Sequence, residues 1–171
     1  MTRVIVKSGD VTKDVQADAL VTLINSEGMW FGGVDGAIMR VAGGLFHSQA
    51  RAIPLKDGDV VVAKRGSNSH NGSFKDVIFV VDDLKQPLSN LMYSALREAK
   101  VQGYKIVAFP LMRTGVMLGA VEPDVKAVVE QIMIALNKFI ADDDWNLYVY
   151  LVVFNDPNSK KILLETVRST S

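Results

Sequence analysis

The chain has no cysteine and only two histidines among its 171 residues. The lack of cysteine excludes disulfides, iron–sulfur clusters, thiolate zinc sites and a cysteine nucleophile. Two histidines are too few for a histidine-rich metal site, so we predict no metal site and no cofactor. A chain without cysteine also suits a reducing compartment, and we predict a cytoplasmic protein.

The sequence lacks an excess of charge and a long apolar run. Its 19 Lys and Arg residues balance 19 Asp and Glu residues, so no basic surface favours nucleic acid as a partner. No apolar run approaches the roughly 20 residues of a membrane-spanning helix. The N-terminus MTRVIVKSGD also has too few apolar residues for a signal peptide. We therefore expect no association with membranes.

The length and the apolar patterning predict one α/β domain. A chain of 171 residues is shorter than the roughly 250 to 300 residues at which single cores stop growing. Predicted strands lie at 4–6, 19–24, 59–63, 77–81, 106–111 and 147–154, and predicted helices at 34–42, 88–101, 123–140 and 158–169. This alternation predicts a three-layer α/β/α fold. No exposed apolar helix face is evident, so we expect a monomer.

Three loops that follow predicted strands contain glycine. They are SGDVT at 8–12, INSEGMWFGGVDGA at 24–37 and PLMRTGVMLGA at 110–120. Ligands of open α/β sheets bind outside the carboxyl ends of the strands, where glycine and helix N-termini suit phosphate groups. None of the loops has the Walker or the dinucleotide-binding pattern. Taken alone, the glycines leave a diphosphate site and plain turns equally open.

In combination, the motifs resemble those of the macro domain family. The matching segments are GDVT at 9–12, ADALVTLINS at 17–26, GGVDGAI at 32–38, AGG at 42–44, FPLMRTGV at 109–116 and YLVVFND at 150–156. They come in the family's order and extend over nearly the whole chain. The resemblance implies a single macro domain over residues 1–171, with a mixed, mostly parallel sheet. It also implies a cleft that binds ADP-ribose, free or attached to another molecule.

The resemblance assigns a role to several loop residues. Asp10 matches the acid that accepts a hydrogen bond from the adenine amino group, and Val11 packs beside the base. Phe154 matches an aromatic residue that stacks on adenine, and Asn155 lies next to it. The residues implied for the distal ribose and the phosphates are Gly32, Gly33, Val34, Thr114, Gly115, Val116 and Met117.

Asn25 and Asp35 are the catalytic residues that the resemblance implies. Asn25 matches the last asparagine of a family motif that contacts the distal ribose. Asp35 matches an aspartate of members that hydrolyse ADP-ribose esters, in which a carboxylate orients or activates the attacking water. An acid in the first turn of a helix also stabilises the helix by about 0.3 to 1 kcal/mol. A capping role for Asp35 therefore stays open.

The chain departs from the family pattern mainly near the distal ribose. The departures are Thr22, Leu23, Ile24, Trp30, Phe31, Met117 and Leu118. They leave open a hydrolase that acts on a protein ADP-ribosyl ester, O-acetyl-ADP-ribose or ADP-ribose 1''-phosphate, and a module that binds ADP-ribose without turnover. A macro-like fold for another nucleotide or RNA is a third reading. His47 is expected to cap a helix or pack on the surface, and His70 to be a solvated loop residue.

Overall fold

Strands and helices alternate along the chain as the patterning predicts. A computed structural model describes residues 1–28, 33–115, 117–143 and 145–170. The elements are β1 (Arg3–Ser8), β2 (Ala17–Ile24), α1 (Gly33–Ala42), α2 (His47–Arg51), β3 (Val60–Ala63), β4 (Phe74–Val81), α3 (Leu88–Val101), β5 (Ile106–Pro110), α4 (Val125–Asp143), β6 (Tyr148–Val153) and α5 (Pro157–Thr170). Every predicted strand and helix is present. The short helix α2 is an addition that the apolar pattern does not indicate.

The described strands form a sheet in the order β1-β6-β5-β2-β4-β3. β3 runs antiparallel to β4, and the other neighbouring strands are parallel. Parallel neighbours cannot be joined by tight turns, so helices cross over between them and cover the faces of the sheet. The prediction of a mixed, mostly parallel α/β sheet is confirmed.

The side chains of β2 show how the layers are divided. Ala19, Val21 and Leu23 pack in a core with buried residues of α3, α4 and α5. Leu20 and Ile24 pack in a second core with α1 and α2. Successive side chains of a strand point to opposite faces, so the sheet lies between two helical layers. Thr22 has the same parity as Leu20 and therefore faces α1 and α2.

β2 and β5 separate before they reach their carboxyl ends. Their register joins Ala19 with Val107 and Leu20 with Ala108, well before β2 ends at Ile24. The chain that leaves β2 continues through α1 and α2 to β3, at one edge of the sheet, whereas the chain that leaves β5 continues through α4 to β6 on the other side. Such a divergence opens a crevice, which is the usual ligand position in open α/β sheets.

A buried ion network anchors the loop that follows β5. Arg113 donates to Oδ2 and Oδ1 of Asp82 at 2.9 and 2.7 Å, and to both carboxylate oxygens of Glu122 at 2.6 and 2.9 Å. It also donates to the Gln86 carbonyl oxygen at 2.9 Å. Burial acts to lower the pKa of Arg113, but the bonds to Asp82 and Glu122 outweigh it and raise the pKa above its ordinary value. The network therefore ties this loop to the loop after β4.

The backbone at Arg113 is strained. Its φ of 59° lies in the left-handed region, which residues with a Cβ seldom occupy unless the surroundings hold them there. The hydrogen bonds of the guanidinium provide that restraint. The path of the loop that follows β5 thus depends on one buried side chain.

We expect Arg113→Met to lower the free energy of unfolding by about 3 to 5 kcal/mol, because Asp82 and Glu122 would keep buried charges without their partner. Urea denaturation followed by circular dichroism measures the change. Arg97→Met is the matched control, because the Arg97 side chain pairs with Asp143 but is 60% exposed. Loss of this surface pair should lower the free energy of unfolding by less than about 1 kcal/mol. Equal losses in both variants would contradict the anchoring role of Arg113.

Candidate active site

A cleft of about 370 Å³ opens at the carboxyl ends of the strands. Loops from β1, β5 and β6 contribute to its walls, together with β2 and the first turns of α1. The predicted site residues that line it are Asp10, Val11, Gly33, Val34, Asp35, Thr114, Gly115, Met117 and Phe154. Its volume is in the range of small-molecule sites. The fold therefore brings residues from distant parts of the sequence to one place.

Asp10 is held by its own loop. Its Oδ1 accepts hydrogen bonds from the Thr12 backbone N–H at 2.9 Å and the Thr12 hydroxyl at 2.6 Å. Its backbone N–H donates to Oδ2 of Asp14 at 2.6 Å. Gly9, with a φ of 145°, fits here because an added Cβ would lie 2.7 Å from that same Asp14 oxygen. The loop thus presents a preorganised carboxylate, which is an acceptor for amino groups.

Asp35 lies in the first turn of α1 and is 2% exposed. Its Oδ1 is 3.0 Å from Nε2 of His47 and 3.5 Å from the Thr22 hydroxyl. Asp35 also forms part of the cleft lining. Asp35 therefore contacts α2 and β2 as well as its own helix. Stabilisation of the first helical turn alone does not explain these contacts.

The two histidines are not where the sequence analysis places them. His47 is 1% exposed, and it contacts Asp35 instead of packing on the surface. His70 is half-buried, with its ring centroid 5.3 Å from that of Phe46 and 4.7 Å from that of Phe74. Both predictions are wrong because these contacts are tertiary and leave no local pattern in the sequence.

Asn25 follows the end of β2 and is not among the described residues that line the cleft. Its side-chain Oδ1 accepts from the Glu27 N–H at 3.0 Å, and its carbonyl oxygen accepts from the Gly28 N–H at 2.9 Å. These bonds form a turn just after the strand. Asn25 is therefore fixed close to β2, and its role at the ribose stays a prediction.

Four predicted or flagged positions in the two glycine loops lie outside the described residues. They are Trp30, Phe31, Gly32 and Val116. The described part of the loop after β5 forms a turn, in which the Thr114 hydroxyl donates to the Leu111 carbonyl oxygen at 2.9 Å. Leu118 donates its N–H to the Gly115 carbonyl oxygen at 3.1 Å and is 38% exposed.

The segment after β6 carries an aromatic residue and a helix cap. Phe154 is 72% exposed at the cleft, whereas Asn155, with a φ of 49°, is not part of the described lining. Asp156 lines the cleft and accepts from the hydroxyl and the N–H of Ser159 at 2.6 and 3.1 Å. It thereby caps α5, in which proline is the first residue. Asp156 can be recognised as a helix cap from the sequence, because an Asp–Pro pair is typical of a helix start.

The family model of the Macro domain matches residues 21–127 of this chain. The chain belongs to the macro domain family. An O-acetyl-ADP-ribose deacetylase of Escherichia fergusonii is 29% identical over 171 aligned residues, which cover 92% of this macro domain and 92% of that protein.

Solved macrodomain structures share the fold. The Trypanosoma brucei macrodomain in complex with ADP-ribose superposes with a TM-score of 0.80 and 24% identity, over 96% of this chain and 68% of that chain. The Oceanobacillus iheyensis macrodomain with ADP superposes with a TM-score of 0.72 and 22% identity, over 96% and 90%. Identities this low support the architecture alone.

Arg40 and Asp156 are cleft residues to which the sequence analysis gives no role. Arg40 is exposed in the last turn of α1, and its side chain contributes a cation to the lining. Arg40 lies five residues after Asp35, about 140° further around the helix, so helical spacing does not place the two on one face. Arg40 therefore does not stand out without a structure, whereas the Asp–Pro pair marks Asp156 as a helix cap.

Asp156→Ala should lower the free energy of unfolding by about 1 kcal/mol at neutral pH, because α5 loses its N-cap. The bonds from the Ser159 hydroxyl and then its N–H lower the pKa of Asp156. A lowered folded-state pKa gives stability that is present above the unfolded pKa of about 3.9 and is lost as pH falls through the folded value. Wild type and variant should therefore converge in acid denaturation scans. A constant difference down to the lowest pH would contradict this account.

Proposed function

We propose that this macro domain binds ADP-ribose along the cleft and hydrolyses an ADP-ribose conjugate. The substrate is O-acetyl-ADP-ribose, a protein ADP-ribosyl ester or ADP-ribose 1''-phosphate. The observation that carries the proposal is the carboxylate of Asp35, which is fixed by His47 in the wall of the cleft. The name of the Escherichia fergusonii relative, O-acetyl-ADP-ribose deacetylase, agrees with this chemistry.

The adenine end of the proposed ligand lies beside β1 and β6. There the Asp10 carboxylate is available to an amino group, and the exposed Phe154 offers a ring for stacking. Val11, which is 6% exposed, supports the same corner of the cleft.

The distal ribose then falls beside α1. Two strands, β6 and β5, separate β1 from β2, so the two ends of the site are about 14 Å apart at the usual strand spacing. An extended nucleoside diphosphate sugar spans such a distance. Between the ends lie the glycine loops that follow β2 and β5, and backbone N–H groups of such loops suit a diphosphate.

Hydrolysis of an acetyl ester at the distal ribose needs an activated water. In the proposed step, the water oxygen bonds to the carbonyl carbon of the ester while its proton passes to Asp35. The bond between that carbon and the ribose oxygen then breaks, the proton moves from Asp35 to the ribose oxygen, and acetic acid leaves. The products are ADP-ribose and acetic acid, which releases its proton to solvent at neutral pH, and no other reactant is required.

A binding module without turnover is the second candidate. The small exposed fraction of Asp35, 2%, favours it, since a general base must reach water. Thr22, Met117 and Leu118 also make the distal end unlike the family pattern. Turnover measurements separate the two candidates.

No helix among the described residues has the length and apolar character to cross a membrane. The cytoplasmic location, the monomeric state and the lack of a nucleic-acid partner stay predictions from the sequence.

Asp10→Asn should weaken ADP-ribose binding by about tenfold, the equivalent of one lost hydrogen bond of about 1.4 kcal/mol. The asparagine oxygen can keep the bonds to Thr12, but its amide N–H groups face the adenine amino group as a second donor. Isothermal titration calorimetry measures both Kd values. Asp142→Asn, at an exposed position of α4, is the control. No saturable binding to the wild type would refute the proposed ligand, and an unchanged Kd in Asp10→Asn would refute the adenine position.

Asp35→Asn should lower kcat for the hydrolysed conjugate by about 100-fold or more, the usual contribution of a general base. The Kd of ADP-ribose should change little, because the amide keeps the size of the carboxylate. Release of ADP-ribose is followed by chromatography, with Asp142→Asn again as the control. Binding by a wild type that turns over none of the three conjugates would favour the binding module.

A further inference from the structure

His47 contacts the proposed general base from behind the cleft wall. It is the first residue of α2 and is not among the described residues that line the cleft. Its Nε2 nevertheless lies 3.0 Å from Oδ1 of Asp35, a residue that does line the cleft. One carboxylate therefore connects the cleft with a buried imidazole.

Apolar packing restricts the orientation of this imidazole. The ring of His47 lies edge-on against that of Phe79, with centroids 4.9 Å apart and planes at 64°. Phe79 is fully buried on β4, where it is the register partner of Thr22 on β2. An edge-to-face contact is a favoured arrangement of rings. Rotation of the histidine away from Asp35 would break this packing.

The histidine contact is the stronger of the two described contacts to Oδ1 of Asp35. The Thr22 hydroxyl is 3.5 Å from that oxygen, at the outer limit for a hydrogen bond. The separation of 3.0 Å from His47 Nε2 is an ordinary hydrogen-bond length. When the proton is on Nε2, in the neutral ring or in the imidazolium, His47 is the donor.

We propose that His47 is a positioning residue for hydrolysis, an inference that rests on the proposed function. Its bond to Oδ1 holds the carboxylate of Asp35 in one rotamer, so that the acid meets the attacking water in a fixed orientation. Orientation of a reacting group affects the transition state more than the binding of product. The effect of His47 therefore falls on kcat and leaves the binding of ADP-ribose nearly unchanged.

Two variants at this position separate hydrogen bonding from packing. His47→Leu keeps an apolar side chain in the pocket but removes the donor. His47→Gln retains an amide N–H that can reach Asp35. Steady-state hydrolysis is measured with O-acetyl-ADP-ribose, or with the ester or 1''-phosphate if the wild type prefers it. We expect kcat to fall by roughly 10- to 100-fold in His47→Leu, with KM and the Kd of ADP-ribose little changed. His47→Gln should recover most of kcat.

The other histidine of the chain supplies the control. In the wild type, Nδ1 of His70 accepts a hydrogen bond from the Gly72 N–H at 3.0 Å. In His70→Asn, the side-chain oxygen of asparagine can accept that bond instead. His70 is not among the described residues that line the cleft, so His70→Asn should keep the kcat of the wild type.

The outcomes distinguish this inference from the proposed function. An active wild type together with an equally active His47→Leu overturns the role of His47 and leaves the proposed function standing. A wild type that hydrolyses none of the conjugates overturns both. If His47→Leu does not fold, His47→Asn replaces it, since its amide is too short to reach Asp35. Equal kcat values in His47→Asn and His47→Gln then overturn the inference.

Discussion

The buried network around Arg113 is the interaction on which the shape of the cleft depends. The pairing of β5 with β2 stops at Ala108, so on that side no strand pairing holds the loop after β5, although Pro110 still pairs with Val152 of β6 on the other side. The Arg113 guanidinium joins that loop to Asp82 after β4 and to Glu122 further along the chain. Removing charges from water is costly, and the network offsets this by bidentate hydrogen bonds. The middle of the proposed site, where the diphosphate would lie, therefore has a buried, polar support.

A second buried polar contact supports the distal-ribose end of the proposed site. Asp35 of α1 and His47 of α2 meet against β2 and β4, where water has little access. Burial of a carboxylate is costly unless it is paired and hydrogen-bonded, and the contact with His47 offsets part of that cost. Its place in the wall of the cleft supports the proposed role in hydrolysis.

Most of the architecture is predictable from the sequence because local patterns carry it. β2 is apolar from Ala19 to Ile24 except at Thr22, β4 is apolar from Val77 to Val81, and the helices α3 and α4 repeat apolar residues at helical spacing. Helix α2 is not predictable, since five residues are too few to show a helical period. The ends of the elements shift by a few residues from their predicted positions.

The sequence predicts those residues of the candidate site that belong to the loop motifs. Asp10, Gly33, Asp35 and Thr114 line the cleft as their motifs indicate. The contact between Asp35 and His47 is not predictable, because His47 lies 12 residues further along the chain and on another helix. Only the packing of α2 on the sheet brings that imidazole to the carboxylate. The same holds for Arg113, whose strained backbone and distant partners leave no trace in the spacing of residues.

The most direct measurement is a crystal structure of this macro domain soaked or grown with ADP-ribose. The account predicts the adenine amino group within hydrogen-bond distance of the Asp10 carboxylate, the base against Phe154, and the distal ribose next to Asp35. A ligand bound outside this cleft, or one with its distal ribose at the β1 end, would contradict the proposed site and the role of Asp35.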